Sequence, residues 1–502
     1  MTYVPRTAPK THQAEFLQRS LEAPVFAFLM EPGTGKSWLV VQTLGHWWTE
    51  HGLRGALIVA PNGVHENWLD QFTLHLGESV PVRMLAYNSR RRLAQRIELA
   101  QWEEELPQLR EHGLKMGPLW IATMNIEALS SASGQDFAKE FLSRVQQRRA
   151  KVAFIVDESH KIKKPSAHRT RAALRLAERT DLRRLLSGTP MPKGLEDLYA
   201  PYRMLDWRIF GSRTAAGFRA MFCIEQKFAK FSKIVGYRNV DQLKRLMAPV
   251  TAQIRLDECM DLPPVQGGLL GPSGPERIRI PMLDEQRRMY EDLRKNFMTL
   301  LRSGRVMTAP EVTTRLIRLQ QLTSGIVQPD GEDTPYQMIP TAKTAATVDL
   351  IETNNAKTIV WCRFKAEVPA LVADLAKAGI SAVGHSGFDK AESRVLIRKQ
   401  WQESDTQVLV STLSTGATGF TFNEATVAIF FSNWWGYDDR LQAERRNLRI
   451  GQGKPVIYYD VLCKNTVDEY ILSTLLRKQS ISQLIEQNPR DVLTDLTLTE
   501  AA

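Results

Sequence analysis

One short stretch of this 502-residue chain has the residue types and spacing of a phosphate-binding loop. The apolar run VFAFLM is followed by EPGTGKS, whose glycines let backbone amides approach an anion. The loop residues with this predicted role are Gly33, Thr34, Gly35, Lys36 and Ser37. Lys36 would place a positive charge on the terminal phosphate oxygens, and Ser37 a hydroxyl where Mg²⁺ binds. Met30 stands where the strict pattern has glycine, so the prediction also depends on the strand before the loop and the helix after it.

Two adjacent carboxylates end a second apolar run, KVAFIVDESH. Asp157 is placed to coordinate Mg²⁺, and Glu158 to polarise an attacking water. A phosphate loop followed by an acidic pair on a later strand is the set of groups that phosphoryl transfer from MgATP requires. The sequence therefore predicts ATP hydrolysis, with ATP and Mg²⁺ as cofactors.

A third set of candidate groups lies near the far end of the chain, in QAERRNLRIGQ. Arg446 and Arg449 stand three residues apart and share one face of a helix. Two guanidinium groups so placed could neutralise charge on the γ-phosphate from a second lobe. The alternative, a solvated basic helix face, stays open at this stage.

Short apolar runs that alternate with helical stretches predict the elements that position these groups. Runs of this kind are typical of buried parallel strands, and they occur twice, as VFAFLM, ALIVA, LWIAT, VAFIVDE and RRLLSG, and later as KTIVWC, QVLVST, TVAIFF and VIYYDVL. The fold class predicted is α/β, with two doubly wound parallel-sheet lobes and a mainly helical insertion and linker between them. The predicted boundaries are 1–205 for the first lobe, 206–342 for the insertion and linker, 343–490 for the second lobe and 491–502 for a tail.

The composition is that of a globular protein with a basic surface. The net charge of +11 favours polyanionic partners. The four cysteines lie far apart, which excludes a paired CxxC zinc site and indicates no disulfide framework. No segment has the apolar length of a membrane span or a signal peptide. The expectation is a soluble protein of the cytoplasm that does not bind membranes.

Taken in order, these motifs resemble those of helicase superfamily 2, and specifically its Swi/Snf branch of double-stranded DNA translocases. EPGTGKS, DESH and SGTP resemble motifs I, II and III, and QAERRNLRIGQ resembles motif VI. THQAEFL resembles the adenine-recognising segment, which implies that Gln13 contacts the base. QLKRLMAPVTAQIRLDECMDLPP resembles the helical protrusion of this branch. The resemblance covers nearly the whole chain and implies two RecA-like lobes.

The same resemblance implies further binding residues. Those expected to contact nucleic acid are Pro61, Asn67, Trp68, Thr123 and Thr412, and those expected at the nucleotide are Gly416 and Gly419. For Trp68, packing in the core is an equally good interpretation. Three positions depart from the family pattern, because Ala417 replaces a glycine, Arg445 an acid and Leu448 a histidine. Both arginines of motif VI are present.

The function expected is a DNA-dependent ATPase that translocates on duplex DNA and remodels DNA or protein–DNA complexes. Two alternatives stay open: a helicase that separates strands of DNA or RNA, and an ATP-gated nucleic-acid clamp with little turnover. The chain resembles a minimal motor of bacteria or their phages, and a monomer is expected when it is free.

Overall fold

The structure is a computed structural model of the chain, and it falls into two compact units, Met1–Met260 and Asp261–Ala502. The residues that it describes are 3–61, 64–111, 117–188, 194–227, 232–259, 263–302, 308–327, 336–385, 391–412, 422–448 and 452–477.

A seven-stranded parallel sheet forms the centre of the first unit, in the order β3-β4-β2-β5-β6-β1-β9. A two-stranded antiparallel hairpin, β7–β8, stands apart from it. The strands are β1 Val25–Met30, β2 Leu53–Ala60, β3 Val82–Ala86, β4 Leu119–Asn125, β5 Lys151–Val156, β6 Leu182–Ser187, β7 Cys223–Lys227, β8 Ser232–Tyr237 and β9 Thr251–Ile254.

Helices cover both faces of this sheet, because its central strands are apolar on both sides. Along β2, Leu57 and Val59 pack into one hydrophobic core, whereas Ala56 and Ile58 pack into another. The helices are α1 Thr11–Leu21, α2 Lys36–His51, α3 Val64–His75, α4 Arg92–Glu104, α5 Leu106–Glu111, α6 Ala132–Gln147, α7 His168–Ala177, α8 Tyr199–Leu205, α9 Ala215–Phe222, α10 Val240–Met247 and α11 Leu256–Cys259.

The second unit also has a parallel sheet, in the order β10-β18-β17-β14-β16-β15. The strand β11 pairs with the second half of β18, after the part that pairs with β10. A short antiparallel pair, β12–β13, lies outside this sheet. The strands are β10 Val265–Gly267, β11 Glu276–Ile280, β12 Ile326–Val327, β13 Gln337–Met338, β14 Thr358–Cys362, β15 Ala382–His385, β16 Val408–Thr412, β17 Val427–Phe430 and β18 Val456–Cys463.

Its helices again lie on two faces, with Val360 of β14 in one core and Ile359 and Trp361 in the other. Among the helices that the structure describes, none is long and apolar enough to span a membrane. The helices are α12 Asp284–Arg302, α13 Ala309–Thr323, α14 Ala342–Asn354, α15 Glu367–Lys377, α16 Ala391–Glu403, α17 Tyr437–Asn447 and α18 Val467–Leu476. The predicted fold class, two doubly wound α/β lobes, is confirmed.

The stretch 206–342, expected as one helical insertion and linker, is divided between the two units. Its first part adds β9 to the edge of the first sheet beside β1, and a later part adds β10 and β11 to the edge of the second. Edge strands are paired on one side only and need no continuous apolar run. For this reason their sequences, such as TAQI and ERIRI, gave no strong strand signal.

Candidate active site

The phosphate loop connects the buried strand β1 to helix α2. Gly33 and Gly35 have φ of 90° and 89°, in the left-handed region that favours glycine. Thr34 is buried, and its hydroxyl donates to the Glu31 carbonyl at 2.7 Å, which closes the turn. Gly35 is the N-cap of α2, so Lys36 and Ser37 occupy its first turn. The amides of a first helical turn have no partner within the helix, which makes this turn suited to an anion.

Lys36 folds back over its own loop. Its Nζ donates to the carbonyl oxygens of Met30, at 2.7 Å, and Glu31, at 3.2 Å. Its charge also acts on Asp157, where it opposes the effect of burial on the carboxyl pKa. The predicted lysine and the first predicted carboxylate therefore lie at one site.

Asp157 and Glu158 follow directly after β5. Asp157 is 9% exposed, and burial, together with the neighbouring Glu158 charge, raises its pKa to about 6. Its Oδ1 accepts from the Glu158 backbone N–H at 2.9 Å, and its Oδ2 from Trp68 Nε1 at 3.3 Å. Glu158 has a φ of 49°, a conformation in which non-glycine residues are uncommon and which clusters at functional sites. A buried carboxylate that favours the proton is suited to a cation that takes the proton's place.

The Asp157→Asn variant is expected to unfold at a higher temperature than the wild type in EDTA. In the folded wild type the raised pKa of Asp157 favours the protonated carboxyl. The free energy of unfolding of the wild type therefore falls as pH rises from about 4 to about 6, and it stays low above that. The raised pKa of Asp157 corresponds to a cost of roughly 3 kcal/mol in the free energy of unfolding, and the loss of one hydrogen bond in the variant subtracts about 1 kcal/mol from the gain. We expect a Tm increase of about 2–5 °C at pH 7.5 and none at pH 4, by calorimetry.

The matched control for this measurement is Asp136→Asn, because the Asp136 carboxylate is 74% exposed. Its Tm should equal that of the wild type at both pH values. A lower Tm for Asp157→Asn at pH 7.5, or an equal increase at both pH values, would contradict the expectation.

Helix α1 brings the predicted adenine contact against the phosphate loop. Gln13 is buried, and its amide lies so close to Gly35 that a Cβ there would meet Gln13 Nε2 at 1.9 Å. The adjacent His12, which the sequence analysis missed, donates from Nε2 to the Thr34 carbonyl at 2.9 Å. These contacts place Gln13 beside the phosphate loop. The contact of Gln13 with the adenine base stays a prediction.

Arg184 of β6 holds the other end of α1 and was also missed. Its guanidinium is fully buried and donates to four backbone carbonyls, at distances of 2.7–3.1 Å. The acceptors are Ser20, Ala23, Pro24 and Arg183. Burial without a carboxylate partner among these contacts lowers the pKa of Arg184 to about 9. Helix α1 is thus fixed to the sheet at one end and to the phosphate loop at the other.

The predicted DNA contacts differ in accessibility. Pro61 and Asn67 are half-buried, so their contacts with DNA stay predictions. Trp68, Thr123 and Thr412 are at most 2% exposed, which does not fit contact of these side chains with DNA. For Trp68 the reason is that the indole packs in the core beside β2 and donates to Asp157.

In the second unit, Arg446 lies near the end of α17 and is 4% exposed. A buried network on the same helix fixes its position. Arg440 donates to both carboxylate oxygens of Asp460, at 2.5 and 2.9 Å, and to Glu444 at 2.8 Å. Glu444 also accepts the backbone amides of Leu269 and Leu270 at 2.8–3.0 Å. The burial of Arg446 argues against the solvated basic face, while Arg449, Gly416 and Gly419 lie outside the described residues.

Comparison with known proteins gives two family matches. The sequence matches the SNF2-related domain over residues 25–325 and the helicase conserved C-terminal domain over residues 342–451. A solved structure, the SWI2/SNF2 ATPase core of Sulfolobus solfataricus in complex with dsDNA, is 17% identical with a TM-score of 0.40, and the match covers 98% of this chain and 97% of that one.

Three curated relatives illustrate the similarity. An uncharacterized ATP-dependent helicase of Mycoplasma genitalium is 22% identical over 65% of this chain and 30% of its own. A probable chromatin-remodeling complex ATPase chain of Oryza sativa is 21% identical over 92% and 39%, and the human DNA annealing helicase and endonuclease ZRANB3 is 23% identical over 69% and 30%. The chain thus spans 30–39% of the length of these relatives. Because the SNF2-related domain covers more than half of the sequence, the chain belongs to the Swi/Snf-type branch of helicase superfamily 2.

Proposed function

We propose that the chain is an ATP-driven motor that translocates on duplex DNA and thereby remodels DNA or protein–DNA complexes. The observation that carries this proposal is the cluster of Lys36, Asp157 and Glu158 at the phosphate loop of a chain that matches the SNF2-related domain. The partner proposed is double-stranded DNA, and the free protein is proposed to be a monomer.

The residues of the first unit divide the chemistry among them. MgATP, when bound, supplies the phosphoryl group and the metal charge. The amides of the loop from Gly33 to Gly35 bind phosphate oxygens, and Lys36 exchanges its two carbonyl acceptors for them. Ser37 and Asp157 would hold Mg²⁺, and Glu158 would orient the attacking water. The intact Glu158 supports turnover and does not favour an ATP-gated clamp.

Movement along a duplex is the smaller of two mechanical demands. A motor that binds backbone phosphates can advance along a helix as its conformation changes during turnover. Unwinding also requires groups that replace the base stacking that is lost. Relatives named as helicases and as chromatin-remodelling ATPases are compatible with either activity.

A triplex-displacement assay tests the proposal. ATP hydrolysis is expected to displace a triplex-forming third strand from a long duplex, because a motor that advances along the backbone phosphates pushes off a strand that lies on the duplex ahead of it. Separation of the strands of a plain duplex should be weak or absent under the same conditions. The measurement is the fraction of labelled third strand released over time, beside a forked-duplex unwinding assay.

Lys36→Ala is the control for ATP dependence in both assays. Efficient unwinding without triplex displacement would replace the proposed translocase by a strand-separating helicase. ATPase rates with duplex DNA, single-stranded DNA and RNA as activators would show which nucleic acid the motor uses, and stimulation by RNA alone would contradict the proposed DNA substrate.

A further inference from the structure

Residues 207–255, here called the basic segment, carry an excess of positive charge. The segment contains ten Lys and Arg residues against two acidic ones, a net charge of +8. Seven of the basic residues are exposed in the structure, namely Arg208, Arg213, Arg219, Arg238, Lys244, Arg245 and Arg255. A surface of this charge attracts polyanions within about a Debye length, beyond which salt screens the interaction.

The basic segment is rooted in the core of the first unit. Phe210, Phe218 and Phe222 are at most 4% exposed, and their ring centroids lie 5.0–6.2 Å apart. Leu243 of α10 packs in the same hydrophobic core. The Arg238 amide donates to the Phe222 carbonyl at 3.0 Å, which closes the base of the β7–β8 hairpin. The charged residues therefore stand on a fixed support.

Apolar side chains are exposed among these charges on the hairpin. Ile224 is 46% exposed and Val235 is 55% exposed. A bulge interrupts the pairing of the two strands between residues 224 and 225. Tyr237, which is 36% exposed, donates from its hydroxyl to Glu196 at 2.8 Å. Phosphates do not bind apolar surface, whereas the flat faces of unstacked bases pack against apolar side chains.

We propose that the basic segment is a second DNA contact, which binds unpaired nucleotides where a duplex branches. Exposed basic residues such as Lys244 and Arg245 bind the phosphates, and the hairpin residues Ile224 and Val235 pack against the unstacked bases. The charge of the segment favours DNA over a protein partner, since nucleic acid carries one negative charge per nucleotide. This inference rests on the proposed DNA motor and assigns it a preferred substrate, a fork or junction.

Fluorescence polarisation with two labelled DNAs of equal length, one fully paired and one forked with single-stranded arms, tests this assignment. The double variant Ile224→Ser/Val235→Ser should bind the fork about tenfold more weakly and the duplex within about twofold of wild type. The double variant Lys244→Glu/Arg245→Glu should weaken binding of both DNAs and reduce the salt dependence of binding.

Lys377→Glu/Lys399→Glu is the matched control, because these two lysines are 77% and 62% exposed and lie in the second unit. It should leave the fork preference unchanged. Duplex-stimulated ATPase is measured for every variant in parallel. If that stimulation is absent from the wild type, the proposed motor is wrong. If it is present and the hairpin variant keeps the fork preference, only the proposed branch contact is wrong, and an acidic protein becomes the partner to seek.

Discussion

Replacing Lys36 by Ala is expected to lower steady-state ATP turnover by at least about 10²-fold, the usual effect of removing one preorganised group that stabilises developing charge. The variant removes the cation that now bridges the carbonyls of Met30 and Glu31 and that would move onto the terminal phosphates. The measurement is phosphate release at saturating ATP and DNA. Equilibrium binding of a fluorescent ATP analogue should weaken as well, because the lysine contacts phosphate in the ground state.

Two further variants make this result specific. Lys139→Ala removes a lysine that is 51% exposed on α6, and it should retain wild-type turnover. Glu158→Gln should keep ATP affinity but lose most of the rate, because the amide cannot polarise the attacking water. Turnover close to wild type in folded Lys36→Ala or Glu158→Gln would overturn the assignment of the active site.

The second large effect is expected for Arg446→Ala, with a fall in turnover on the order of 10³-fold and a much smaller change in ATP affinity. Such a difference distinguishes an arginine that stabilises transition-state charge from one that binds substrate and transition state equally. Arg449→Ala is expected to behave in the same way. Single-turnover rates and nucleotide dissociation constants, measured on the same preparations, separate the two effects.

Arg445→Ala is the control at the neighbouring position, where the family has an acid. Arg445 is 6% exposed and Arg446 is 4% exposed, so the two side chains are buried to a similar extent. Its loss should change turnover less than the loss of Arg446. Thermal unfolding establishes that each variant is folded, and Arg446→Lys retains a charge should the alanine variant unfold. If folded Arg446→Ala and folded Arg449→Ala both turned over ATP at the wild-type rate, the two arginines would have no role in hydrolysis.

The parts of the fold that the sequence predicted are those buried on two sides. All nine apolar runs form strands of the two central sheets, and β1 coincides with VFAFLM from its first residue to its last. Central parallel strands must be apolar on both faces, which leaves a continuous signal in the sequence. The strands that were missed, such as β3, β9 and β15, lie at the edges of their sheets, where a strand is paired on one side only and needs no continuous apolar run. Their pairing comes from the tertiary fold and not from local propensity.

The candidate site was predictable where a local motif carries the chemistry. Lys36 and Asp157, although 121 positions apart in sequence, were expected together because each follows a strand of one parallel sheet. The groups that hold helix α1 against the phosphate loop and the sheet were not predictable, since His12 and Arg184 donate to backbone carbonyls, which any residue offers. For Trp68 the sequence left DNA contact and core packing equally open, and the structure favours core packing, because the indole donates to Asp157.

The position of β18 in its sheet has a consequence for synthesis of the protein on the ribosome. Strands β10 and β11 pair only with β18 among the described strands, and Leu269 finds its Glu444 acceptor 175 residues later. At a translation rate of roughly 5–20 residues per second, β18 is synthesised about 10–35 s after β10 and β11. The first unit is by then complete through β9, so it is expected to fold while the second is still being translated. Nascent chains stalled before residue 456 should therefore have a protease-resistant first unit and an exposed segment around β10 and β11.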